Sequence, residues 1–144
     1  MFLAVVGFCL SVFAGRSADT SATDFVYVDL IQQFSQPKIG PYGAYFLEMP
    51  VSLAIVRAGL TNVPIRIEVG TNNVSFAKRG IVDKKSGKGG VLFWSRLSRI
   101  TATNATVSAG WHSGPESAAS YRYDLARHGR TNWIIVKRTL KSIS

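Results

Sequence analysis

Hydroxyls and lysine amines aside, two histidines, one cysteine and eight carboxylates are what the 144-residue chain offers for acid–base, nucleophilic or metal chemistry. His112 and His128 stand at opposite ends of what reads as one β-hairpin. Strand rise then separates them by on the order of 25 Å, so they cannot share a metal ion. Around His112 lie Ser113, Glu116, Ser117 and Ser120, the residue types of a Ser–His–Glu hydrolase, in which a base activates the hydroxyl and a carboxylate orients the base. No G-x-S-x-G elbow on a strand-to-helix turn presents such a serine, and a short polar turn gathers these residues by its nature. No residue is therefore assigned as catalytic; a small hydrolase at the His112 turn stands as an alternative reading. The carboxylates are dispersed, with Glu68 and Asp124 placed as outward strand residues near basic ones, so no pair is poised for glycoside hydrolysis. Nothing in the pattern calls for a metal or an organic cofactor.

A second chemistry is anion binding. Lys78, Arg79, Lys84, Lys85 and Lys88 put five positive charges within eleven residues, around the turn-rich connection DKKSGKGG. Gly87-Lys88 does not make a Walker loop: Gly89 follows where Ser or Thr is required, no glycine stands five places before Gly87, and the next element reads as a strand. Lys84, Lys85 and Lys88 are expected instead to form a flexible anion-contacting hairpin, against the alternative of a solvated loop. A third candidate is aromatic. Trp94, Trp111, Tyr121 and Tyr123, together with His112, are the expected ligand-binding residues, the rings lining space between helices and sheet; the competing reading is that they fill the core.

These side chains need elements to hold them. FVYVDLIQQF places Tyr27, Leu30, Ile31 and Phe34 at i, i+3, i+4, i+7, one apolar stripe of an α-helix. Thr23 or Ser21 is the expected N-cap, Asp24 suits the positive end of the dipole, and Pro37 and Gly40 end the helix. The loop QPKIGPYGAYFLEMP follows, with a short strand at Ala44 to Glu48, and then a second short helix in VSLAIVRAGL with Pro50 in its first turn. From Val63 the period changes to two: Ile65, Ile67 and Val69 alternate with Arg66 and Glu68, the pattern of a half-buried strand. Further strands read at Val74 to Val82 and Val91 to Thr101.

The last forty residues set a register. Strands at Ala105–Ser113, Ala119–His128 and Trp133–Lys141 are joined by GPESA and GRTN. Pairing Ser113 with Ala119 sets Trp111 opposite Tyr121, Ala109 opposite Tyr123 and Val107 opposite Leu125. Pairing His128 with Trp133 sets Leu125 opposite Val136 and Tyr121 opposite Leu140. One face is then apolar across all three strands, and the other carries both histidines and sets Asp124 beside Lys137; a one-residue slip destroys this agreement. The predicted fold class is α+β: N-terminal helices packed on a twisted antiparallel β-sheet whose C-terminal half is a meander, in a single domain over residues 15–144.

Residues 1–14 are uncharged and hold an apolar run of signal-peptide length, with Val12 and Ala14 at the −3 and −1 positions of a cleavage site. No Lys or Arg precedes the run, so a buried N-terminal element is the competing reading. Cys9, the only cysteine, lies inside it behind Phe8, where a lipobox needs a small residue. A cleaved chain would have no thiol, no disulfide and no transmembrane anchor. The expected setting is secreted or periplasmic. With 17 Lys and Arg against 8 Asp and Glu, the protein is drawn to polyanions, and outside the cell these are anionic lipid surfaces, acidic polysaccharide or an acidic protein partner more often than nucleic acid.

The GWH strand and the hairpin YRYDLARHGRTNWIIVKRTLKSIS resemble the C-terminal parts of small uncharacterised bacterial exported proteins, over roughly residues 63 to 144, a resemblance that implies export and no particular activity. Helices followed by an antiparallel meander are also similar to the nuclear-transport-factor-like and cystatin-like folds, which implies a pocket in the cone between helix and sheet; no catalytic Asp–His pair of that family has a match here. The expected function is a non-catalytic ligand- or partner-binding module. Besides the hydrolase, the remaining alternative is a subunit of an exported assembly, self-associating through an edge strand.

Overall fold

The computed structural model describes residues 22–130 and 132–144. Helix α1 covers residues 22–34. Its stripe forms as the spacing requires: Tyr27, Leu30 and Ile31 are buried and Phe34 packs against the same cluster. Thr23 lies inside the helix and is not its cap; Ser21 and the apolar segment 1–14 fall outside the described residues. Strand β1 (Tyr42–Leu47), helix α2 (Leu53–Gly59) and strand β2 (Arg66–Val69) make a parallel crossover, with Ala44 to Leu47 beside Arg66 to Val69. Pro50 precedes α2, whose N-cap is Ser52.

The expected strand Val74 to Val82 is a hairpin, β3 (Val74–Ala77) and β4 (Gly80–Asp83), turning at Lys78-Arg79. Gly80 sits at φ +135°, and a Cβ there would lie 2.3 Å from the Ser113 carbonyl oxygen. Only glycine lets this turn approach the neighbouring strand so closely. Strand β5 (Gly89–Ile100) is followed by the meander β6 (Asn104–Gly114), β7 (Ser117–His128) and β8 (Asn132–Ile143). The order across the sheet is β2-β1-β5-β6-β7-β8, with β4 also pairing β5. The sheet is therefore mostly antiparallel, and it departs from the expectation at β1, which runs parallel to both β2 and β5. Alternation reports a strand's faces and not its direction, so the sequence held no signal for this.

Within the meander the expected faces form with shifted partners. Trp111 stands opposite Ala119, Ala109 opposite Tyr121, Val107 opposite Tyr123 and Ala105 opposite Leu125. This is a slide of two residues, which a period of two leaves invisible. Between β7 and β8 the expected register is met from Tyr121–Leu140 to Asp124–Lys137, and then a bulge sets Leu125 opposite Ile135 and Arg127 opposite Trp133. Val136 is the extra residue. It is 68% exposed, which corrects its expected place in the core; Trp133 and Ile135 fill the inner positions.

One face of the sheet, the inner face, carries Tyr45, Leu47, Val91, Phe93, Val107, Ala109, Tyr123, Leu125 and Trp133, packed with Val26, Tyr27, Leu30 and Ile31 of α1 and Val56 of α2. The outer face is covered at β1 and β5 by the β3–β4 hairpin, through a smaller cluster of Ala44, Phe46, Val74, Ile81 and Leu92. Each fully buried side chain of this kind contributes roughly 1.5–3 kcal/mol. One buried polar group stands out: Asp24, 1% exposed, accepts a hydrogen bond from the Ser52 amide at 2.9 Å through Oδ1, while Oδ2 has no partner.

Candidate functional site

Helix α1 leaves part of the inner face open. A pocket of about 380 Å³ lies between Leu30, Gln33 and Phe34 of α1 and Trp111, Tyr121 and Arg138 on β6, β7 and β8. Its walls follow from the register. Trp111 faces Ala119 and Tyr121 faces Ala109 across the strands, so each ring has a methyl group opposite it, and the missing bulk is the pocket's depth. Phe34 holds the indole of Trp111 from above, ring centroids 4.7 Å apart, and meets Phe93 and Tyr45 edge-on at 5.4 and 5.7 Å. Such edge-to-face contacts fix ring orientation.

Arg138 enters the pocket because the Asp124–Lys137 register pairs it with Tyr123, and cross-strand partners share a face. Its Nη1 donates to Asp29 Oδ2 at 3.2 Å, and the guanidinium lies 5.7 Å from the Tyr121 ring centroid. The Tyr123 hydroxyl donates to the same Oδ2 at 2.9 Å. Burial, reinforced by the Asp29 carboxylate, holds the Tyr123 phenol far above its ordinary value, so the ring stays a neutral donor. Tyr123 is fully buried and supports the pocket from beneath.

Trp94 and His112 are elsewhere. They lie on the outer face with Glu48, Phe76, Leu92 and Arg96, around an open depression of about 390 Å³. Trp94 pairs with Gly110, and its indole lies across the glycine, where a Cβ would come within 2.8 Å of the ring. Arg96 sits 5.6 Å from the indole and is paired with Glu48 at 3.3 Å. The expected aromatic group is thus divided: Trp111 and Tyr121 line the inner pocket, Tyr123 is core, and Trp94 with His112 faces away. Phe93 is the β5 residue opposite Trp111, so strand alternation must turn Trp94 outward.

The turn near His112 gathers no catalytic set. Ser113 Oγ donates to Ser117 Oγ at 3.0 Å, and among the described residues no hydrogen bond joins His112 to Ser113, Glu116, Ser117 or Ser120. No group of three His, Cys, Asp or Glu among the described residues could hold a metal.

The basic loop is organised around a carboxylate. Buried Asp83 accepts Ser86 Oγ at 2.6 Å and the Lys85 amide at 3.2 Å, and pairs with Arg66. Burial works against its charge, yet these donors and the guanidinium hold it below the usual carboxylate range. Lys85 is bound to Glu68 at 2.7 Å, Lys84 donates to the Asn72 carbonyl at 3.4 Å, and Lys88 is exposed. Lys78 and Arg79 lie at the other end of the β3–β4 hairpin, so the five charges form no single patch.

The pocket residues that the sequence did not single out for binding were Leu30, Gln33, Phe34 and Arg138. The first three belong to a helix whose stripe was legible but whose docking position was not, and Arg138 stands opposite Tyr123 on the inner face in the expected register as in the structure, where a lone cation in an apolar row gave no sign of a pocket. No family model matches the chain, and no curated protein matches it in sequence.

Proposed function

We propose that the protein is an exported, non-catalytic binding module that holds an apolar or aromatic small molecule in the pocket between α1 and the inner face of β6, β7 and β8. One observation carries the reading. Phe34, Trp111 and Tyr121 remain only partly buried around about 380 Å³ of space, and concave, ring-lined space of this size with a few polar groups at its margin is what small ligands occupy. The finer fold expectation, helices on a twisted sheet with a cone between them as in nuclear-transport-factor-like domains, supports the same place.

The test uses phenylnaphthylamine, a neutral dye that fluoresces in apolar surroundings. Wild type should enhance its emission saturably, Gln33→Trp should abolish the enhancement by filling the pocket, and Phe76→Ala on the outer face should leave it unchanged. Enhancement lost in Phe76→Ala but kept in Gln33→Trp would move the site to the outer face.

A further inference from the structure

We infer that the pocket selects ligands carrying a carboxylate on an apolar body, and that Arg138 is the residue that recognises it; this rests on the pocket reading above. Among the described residues, Arg138 is the only charged one lining the pocket. It is held in place from two sides, by Asp29 through Nη1 and by the Tyr121 ring, so the guanidinium is oriented before any ligand arrives. Asp29 takes one donor and the Tyr123 hydroxyl also lies against the guanidinium. These two partners do not exhaust its five N–H donors, and a guanidinium presents its donors as a planar fork that fits a carboxylate edge.

The Asp29 charge has to be weighed against this. Its Oδ2 already accepts from both Tyr123 and Arg138, so it is engaged in holding the arginine. The described residues that line the pocket include no acidic side chain, so the guanidinium is the charge a ligand meets there, which favours an anion over a cation. The outer-face arginine, Arg96, is likewise held by a carboxylate and a ring beside its own depression, but its side chain is 71% exposed against 36% for Arg138, so water competes more strongly for its donors. The Lys84, Lys85 and Lys88 loop offers charge without apolar walls.

The experiment displaces phenylnaphthylamine with decanoate and with decanol, both below the concentration at which decanoate forms micelles. Hydrogen bonds to a charged group contribute about 1.5–3 kcal/mol, so decanoate should displace the dye at roughly tenfold lower concentration than decanol, or less. Arg138→Gln should bring the ratio of decanoate to decanol potency to about one; Arg138→Lys, which keeps the charge without the fork, should retain part of the preference. Neutralising Lys84, Lys85 and Lys88 together should have no effect. If wild type binds no dye, the pocket reading fails and this inference with it. If dye binds but decanoate and decanol compete equally, the carboxylate inference alone fails. A preference that survives Arg138→Gln and disappears with the three lysines overturns the assignment to Arg138. Should Arg138→Gln not fold, the wild-type ratio and its reduction in Arg138→Lys decide the matter.

Discussion

Asp24→Asn should flatten the pH dependence of stability between about pH 4 and 7. Asp24 is 1% exposed, its Oδ2 has no partner, and its one hydrogen bond, from the Ser52 amide, ties α1 to the residue that caps α2. Burial, only partly offset by that bond, pushes the carboxyl up to about 6 from its ordinary 3.8. A raised value means that the folded state favours the protonated form. The stability this provides is complete below the unfolded value near 4 and is lost as pH rises through the folded value near 6. A shift of about two units corresponds to roughly 3 kcal/mol. Urea melts of wild type and Asp24→Asn across this range should therefore diverge, wild type losing up to about 3 kcal/mol relative to the variant as pH rises. Both histidines, and the carboxylates Glu68 and Asp83 held low by their partners, are common to both proteins, so the difference isolates Asp24. Parallel stability curves, or a wild type that gains on the variant with rising pH, would refute the reasoning.

Three further substitutions test the elements that shape the pocket. Val136→Asp, at a bulge and 68% exposed, should cost under about 1 kcal/mol in a urea melt, whereas Ile135→Asp, against the core, should cost several times more; equal costs would mean that β8 follows an unbulged register. Gly110→Ala would bring a Cβ to 2.4 Å from the Ala119 carbonyl and 2.8 Å from the Trp94 ring, so it should cost about 1–3 kcal/mol and shift the indole emission. Tyr123→Phe should cost about 1–3 kcal/mol, because Asp29 loses a donor; no loss would show that the hydroxyl does not support Asp29.

What was legible in the sequence follows from periodicity. The α1 stripe at Tyr27, Leu30, Ile31 and Phe34 and the inner face of the meander repeat at spacings that local geometry enforces, so their burial could be read directly. The partners could not, because a slide of two residues keeps every face and moves every contact. At Ile134-Ile135-Val136 three β-branched residues stand in a row, any of which suits an inner position, so the bulge left no trace. The bulge changes only the partners between it and the turn, replacing Val136 by Ile135 opposite Leu125; Arg138 faces inward opposite Tyr123 and Lys137 stands beside Asp124, as the expected register has them. The basic loop shows the converse: Lys84, Lys85 and Lys88 read as an anion site, but Asp83 organises the turn locally through the Lys85 amide and Ser86, and Glu68, which engages Lys85, reaches it only through the parallel pairing of β1 with both β2 and β5. The edge-strand alternative also changes character. β8 is interrupted at Val136 and again at Lys141, and bulges and lysines are devices that discourage strand addition.

Locating a bound ligand by intermolecular nuclear Overhauser effects tests the central claim most directly, with phenylnaphthylamine as the ligand and the aromatic protons of the protein as reporters. Contacts to Phe34, Trp111 and Tyr121, with none to Trp94, are predicted, since the first three surround the inner pocket and the indole of Trp94 lies on the opposite face. Contacts to Trp94 and Phe76 without any to Trp111 would contradict it and place binding on the outer face of the sheet.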